Sequence, residues 1–237
     1  MKNIPKKMAV AVCIGFLLGN PAIRADESSV NIVPPDAKYH GKTYPEWAAG
    51  FWQYAFPLPV EGHPFLAGPD DDFSAGQSGS VWFWSAPDGP MTRTVRMPAG
   101  KTLFLTIRDV DTSSLEAPPF FGATEQEQRA NSNWFADRIE NVFVTIDGVA
   151  VENLDQFRFS TPQFKFTAPT PWIFGDVGGT GTAVGDGYFL LLELPKGQHT
   201  IHYGGTFRFA PGELFPDVQE EIVLPKDITL KITVGKP

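Results

Sequence analysis

The chain has 237 residues, with 19 Lys and Arg against 27 Asp and Glu and a net charge of −8. Such a surface repels phosphate backbones and anionic lipid, which argues against a nucleic-acid partner and against docking on an acidic membrane. The single cysteine, Cys13, excludes an internal disulfide and a multi-cysteine metal site.

Residues 1–25 read as a secretory signal peptide. Lys2, Lys6 and Lys7 precede an apolar run over 8–19, and Ala25 offers a small residue for cleavage. The run is too short to cross a bilayer core of about 30 Å. Cleavage removes Lys2, Lys6, Lys7, Arg24 and Cys13, leaving 15 basic against 27 acidic residues, a net charge of −12, and no thiol. Cys13 does not sit at the cleavage point, which argues against a lipoprotein. The expectation is a secreted or periplasmic bacterial protein, one domain over 26–237, with no membrane insertion after processing.

A helix is predicted over Tyr44–Ala55. Thr43 and Glu46 form a capping box, Pro45 fits the first turn, and Trp47, Ala48, Phe51, Trp52 and Ala55 recur at helical spacing. Strands follow at 80–84, 93–97 and 102–108. A second capping box, Thr124 with Glu127, opens a helix carrying Ala130 and Trp134. Further strands are predicted at 141–146, 156–160, 163–166, 187–194, 199–203 and 228–234. In the last, Ile228, Leu230, Ile232 and Val234 alternate with Thr229, Lys231 and Thr233, the pattern of a half-buried strand. Asp147-Gly148 marks a hairpin turn. The stretches 57–79 and 168–186 read as long loops. The fold class is all-β, a two-sheet β-sandwich of jelly-roll type with two short helices.

Candidate chemistry is sparse. His199 and His202 point to opposite faces of one strand, so they do not form a metal pair. His63 stands in a loop beside Pro64 as a candidate ligand contact or base. Asp70 and Asp72 sit in a Gly/Pro loop and could take Ca²⁺. Asp109 and Asp111 form a possible carboxylate pair, read as ordinary strand-end acids. Gly76–Ser80 departs from the nucleophile elbow, because Ser80 stands where glycine is required and a strand follows. The run GGTGTAVGDG over 178–187 lacks lysine and a following helix, so it is no phosphate loop and reads as a mobile loop. Trp82 and Trp84 share one face of a strand. Either they form a platform for sugar rings, or both faces are covered, with the helix of Trp47 and Trp52 as the cover; the covered reading is favoured.

The motifs GKTYPEW at 41–47, GQSGSVWF at 76–83, PAGK at 98–101, IDG at 146–148 and GQHTIHYGG at 197–205 resemble an uncharacterised family of secreted bacterial proteins. The resemblance implies export and a β-rich fold. It implies no activity and assigns no site residue.

The leading functional expectation is a secreted ligand-binding protein, with carbohydrate, including polysaccharide, as the first ligand class. The expected cluster is Trp82, Trp84, His63 and Arg108, with Asp70 and Asp72 for Ca²⁺ as the only cofactor considered. Arg108 would grip a carboxylated sugar in bidentate fashion. The alternatives are a polysaccharide lyase or hydrolase using carboxylates, and a structural envelope or surface-assembly protein.

Overall fold

The computed structural model describes residues 29–66, 73–74 and 76–235. The signal peptide expected over 1–25, and Asp70 and Asp72 of the acidic loop, lie outside the described residues. The described chain is a two-sheet β-sandwich with two short α-helices.

In chain order the elements are β1 (Asn31–Ile32), α1 (Tyr44–Ala55), β2 (Val81–Trp84), β3 (Gly89–Met97), β4 (Thr102–Ser113) and α2 (Glu125–Ala136). They continue with β5 (Ile139–Ile146), β6 (Val149–Ala150), a short 3₁₀ turn at Leu154–Phe157, β7 (Arg158–Ser160) and β8 (Phe164–Ala168). The last three strands are β9 (Gly179–Glu193), β10 (Gly197–Phe209) and β11 (Ile222–Val234). One sheet has the order β1-β9-β4-β2, with β7 and β8 also paired to β9; the other runs β3-β11-β10-β5-β6. Successive strands cross between the sheets, so β2, β3, β4 and β5 alternate layers. The parallel pairs, β2 with β4 and β3 with β11, follow from those crossings.

The second sheet is amphipathic at the period expected of strands, as the alternating burial of β11 shows. Leu103 and Leu105 of β4 meet Ile201 and Tyr203 of β10 and Ile228 and Leu230 of β11 in one buried core. The outer face of the first sheet is also apolar and is covered by α1. Thr43 and Glu46 cap the helix as the sequence implies, the Thr43 backbone N–H donating to Glu46 at 2.7 Å. Phe51 then stacks on Phe104 at 6.1 Å between ring centroids, and Tyr54 on Phe83 at 5.3 Å. The Tyr44 hydroxyl donates to the Val33 carbonyl at 2.8 Å and accepts from Leu191 N–H at 3.0 Å, which pins the helix to the sheet. The capping box of α2 is present too, with Glu127 N–H donating to Thr124 Oγ1.

The glycine-rich run 178–187 is not a mobile loop: β9 begins at Gly179 and includes all of it but Gly178. Its glycines serve close packing. A Cβ at Gly185 would stand 2.4 Å from Trp52 Nε1, and one at Gly181 would stand 2.8 Å from Leu115 Cγ. The Asp147-Gly148 turn forms as expected, with φ of 51° and 83° at its two residues.

Two local features position the cavity described next. β2 pairs with β4 only over Thr102–Leu105, so from Thr106 to Thr112 that edge of β4 has no strand beside it among the described residues, before Ser113 bridges to Phe121. The opposite edge pairs with β9 throughout, with a register shift between Thr106 and Arg108. Such bulges re-aim side chains.

Candidate functional site

A cavity of about 590 Å³ lies along the uncovered edge of β4. Its walls come from four directions. Trp52 of α1, with Phe65 and Phe174 from loops, forms one side. Ser85 to Asp88, the link from β2 to β3, forms the rim. Phe207 and Phe209 of β10 and Lys226 of β11 come from the second sheet, and Glu116 to Phe120 with Phe135 of α2 close the far end. Aromatic faces meet in pairs there: Phe120 stacks on Phe135 at 4.7 Å, and Phe207 on Phe209 at 6.0 Å.

Three of the charged groups, Arg108, Asp109 and Asp111, come from the second half of β4. Arg108 is 3% exposed and carries a two-pronged ion pair to the half-exposed Asp88. It also donates to the Leu224 carbonyl at 3.0 Å and lies 4.3 Å over the Phe207 ring. Asp109 stands beside it; burial pushes its carboxyl up to about 6, against the opposing pull of Lys226 and Arg108. Lys226 is 5% exposed, and its burial lowers the ammonium pKa.

Asp111 and Glu116 form a separate pair. Asp111 is 3% exposed and Glu116 9%. Ser113 Oγ accepts from the backbone N–H groups of Leu115 and Glu116, the turn that brings Glu116 back toward β4. Burial raises the pKa of both carboxyls, and the Glu116 charge raises Asp111 further. Together they hold a proton at pH values where free carboxylates would not.

Several polar atoms in these walls lack partners among the described residues. They are Trp52 Nε1, Arg108 Nε, Asp111 Oδ2 and Glu116 Oε2. Buried polar atoms are nearly always paired, so four such atoms on residues lining one hollow are unusual. No group of three or more His, Cys, Asp or Glu side chains among the described residues is arranged to hold a metal. No described helix is long and apolar enough to cross a membrane.

Of the residues expected from the sequence, the four that are described, Trp82, Trp84, His63 and Arg108, do not come together. Arg108 lines the cavity. Trp84 is 2% exposed between the sheets, where its indole N–H donates to Tyr203 Oη at 2.6 Å and its ring meets Phe73 at 4.3 Å. Trp82 is half-buried against the core and does not reach the cavity wall. The strand is covered on both faces, so it presents no tryptophan platform. His63 is 1% exposed, with Nε2 bonded to the Ala55 carbonyl at 3.1 Å and Nδ1 accepting from Phe65 N–H at 3.1 Å. Burial lowers its pKa, so it is a neutral brace behind α1. It acts on the cavity only by holding Phe65, whose ring lies 4.7 Å away.

Asp109 and Asp111, read from the sequence as strand-end surface acids, are cavity residues. The reason is that β4 runs on to Ser113, so both lie inside the strand. Lys226, Glu116 and the phenylalanines were missed. Lys226 had a signal: it shares parity with Ile228, Leu230, Ile232 and Val234, so extending that strand backward points it inward. Glu116 had none, since only the Ser113 turn brings it round.

A second hollow, of about 560 Å³, is lined by Ile32, Ile146, Asp147 and His199. Both His199 nitrogens are engaged there, with Asp147 Oδ2 at 2.7 Å and the Pro195 carbonyl at 2.9 Å. Comparison with protein-family models, curated proteins and solved structures returned no match.

Proposed function

We propose that this protein binds a small ring-bearing molecule in the cavity beside β4, with carbohydrate the first class to test. One observation carries the reading: an aromatic-walled hollow of about 590 Å³ whose lining also includes Trp52, Arg108, Asp111 and Glu116 as polar groups. Phenylalanine faces take the C–H surface of a ring, and hydroxyl groups both donate and accept. A thermal-shift panel of mono- and disaccharides and small aromatic alcohols tests it. Ligands that raise the melting temperature of the wild type should lose that effect in Ala86→Leu, which narrows the cavity. A panel that shifts neither protein sinks the reading.

A second reading is general acid–base catalysis on a polysaccharide, favoured by the raised carboxyls of Asp109, Asp111 and Glu116. It requires turnover, measured as new reducing ends, that Asp109→Asn abolishes while ligand-induced stabilisation survives. Export with cleavage after Ala25 belongs to the same proposal. The intact mass of protein from its native host tests it, and a mass matching the full chain would contradict it.

A further inference from the structure

We infer that Lys226 is a nucleophile in this cavity and that the ligand carries an aldehyde or ketone, which Lys226 Nζ joins as an imine. The inference rests on the cavity being a ligand site and names the chemistry of its ligand.

Lys226 is a buried amine without a bonded partner. It is 5% exposed, lines the cavity, and shares its side of β11 with the buried Ile228 and Leu230. Among the described residues its Nζ has neither a hydrogen bond nor an ion pair; Asp109, Arg108 and Asp88 act on it only through their charge. Nor is that nitrogen sealed as Trp52 Nε1, Asp111 Oδ2 and Glu116 Oε2 are: it faces the hollow. Gly205 stands opposite Lys226 in the ladder of β10 with β11, so the cross-strand neighbour puts no side chain over the amine. Phe207 and Phe209 follow on β10 and supply an aromatic face to the same hollow.

An ammonium held in an apolar wall without acceptors costs free energy that the neutral amine does not. Burial lowers the Lys226 pKa, so its free amine, the nucleophilic form, persists nearer neutral pH than that of an exposed lysine. Asp109 is only partly covered and brings a carboxyl raised to about 6 to the same wall. The step balances between these two groups. The Nζ lone pair forms the N–C bond, and the carbonyl oxygen takes the Asp109 proton. The carboxylate recovers a proton from the nitrogen and gives it to the hydroxyl as the C–O bond breaks. Water leaves, and a protonated imine faces the Asp109 carboxylate, with no oxidant or reductant consumed. An anionic ligand fits less well. Arg108, the other wall cation, is taken up by Asp88 and the Leu224 carbonyl, and Asp88 and Asp109 repel an anion in a chain of net charge −8. The charged and titratable groups facing Lys226 are Asp109 and Arg108 of β4 and Asp88 before β3. Tyr203 of β10 feels the Asp109 charge, and Asp111 and Glu116 line the same cavity.

The test is reductive trapping. The full chain is incubated with benzaldehyde and cyanoborohydride, and the benzyl adducts are located by peptide mass mapping. Lys231, exposed on the same strand, is the internal reference. Lys226 should be labelled at least ~10-fold faster than Lys231. That ratio should widen as the pH falls from alkaline to neutral, because an exposed lysine loses its free amine first. Excess benzyl alcohol should slow Lys226 and leave Lys231 unchanged. Lys226→Arg, which keeps the charge, should lose the selective adduct while benzyl alcohol still raises its melting temperature. The wild-type ratio decides the matter even if that variant fails to fold. Labelling of Lys226 no faster than Lys231, with benzyl alcohol still raising the wild-type melting temperature, overturns the inference and leaves the cavity reading standing. Equal labelling with no thermal shift from benzyl alcohol or benzaldehyde overturns both.

Discussion

The two halves of β4 belong to one strand and do opposite work. Over Thr102 to Ile107 every residue is buried, and Leu103, Phe104, Leu105 and Ile107 are packed on both faces, by α1 outside and the second sheet inside. Over Arg108 to Ser113 the strand carries an arginine and two aspartates, and β2 no longer flanks it. The register shift between Thr106 and Arg108 is the boundary. Hydrophobic burial holds the first half, and that stability lets the second half keep desolvated charge, which costs free energy wherever it is not paired. The lesson is that a sandwich can place a site within a core strand by shortening the strand beside it.

The sharpest way to break this comparison is to cut the core half. Trp84→Ala removes a buried indole and its bond to Tyr203 and should cost about 3–5 kcal/mol in urea unfolding, with ligand binding by the folded protein unchanged. A loss of binding at full stability would erase the distinction between the halves. Next is Arg108→Met, which keeps the stem over Phe207 and leaves Asp88 and Asp109 without their partner. Asp88 is half exposed, so the cost should be about 1–3 kcal/mol. The Asp109 carboxyl should rise above about 6 in a carbonyl NMR titration.

The pH dependence follows from the same half. A carboxyl whose folded pKa is raised holds its proton in the folded state after the unfolded chain has released it. Folding is therefore favoured at low pH and loses free energy as pH rises. For Asp109 the window runs from 3.8 to about 6. Asp111 and Glu116 carry the same sign and extend the loss upward. Glu116→Gln should therefore gain about 1–2 kcal/mol over wild type above neutral pH and nothing in acid, read from the difference between two urea series. His63, whose pKa is lowered, works in the opposite direction below 6.5 and cancels in that difference. The smallest effect is Trp82→Ala. It should cost ~1 kcal/mol and leave cavity binding intact, because Trp82 packs on the core edge away from the wall.

Periodicity and caps made most of the architecture legible. The capping boxes at Thr43 and Thr124, the Asp147-Gly148 turn and the alternation in 228–234 are local signals, and each forms as read. The strand ends were less legible. β9 starts eight residues before the predicted strand at 187, because Gly181 and Gly185 answer to Leu115 and Trp52, neighbours that only the fold supplies. The cavity was legible in part. Arg108, Asp109 and Asp111 drew attention by residue type, but burial of the acids depends on where β2 ends, and that is a tertiary fact. The tryptophans misdirected because alternation shows that Trp82 and Trp84 share a face, not what covers it.

The central claim, that the ligand site is the hollow beside β4, is tested most directly by the indole N–H resonances in a ¹H–¹⁵N spectrum during titration with glucose or benzyl alcohol. Trp52 belongs to the cavity wall, and its indole Nε1 has no partner among the described residues, while Trp82 and Trp84 lie off the wall. The account expects a saturable shift of the Trp52 signal with Trp82 and Trp84 unmoved. A shift confined to Trp82 or Trp84, with Trp52 still, would contradict it.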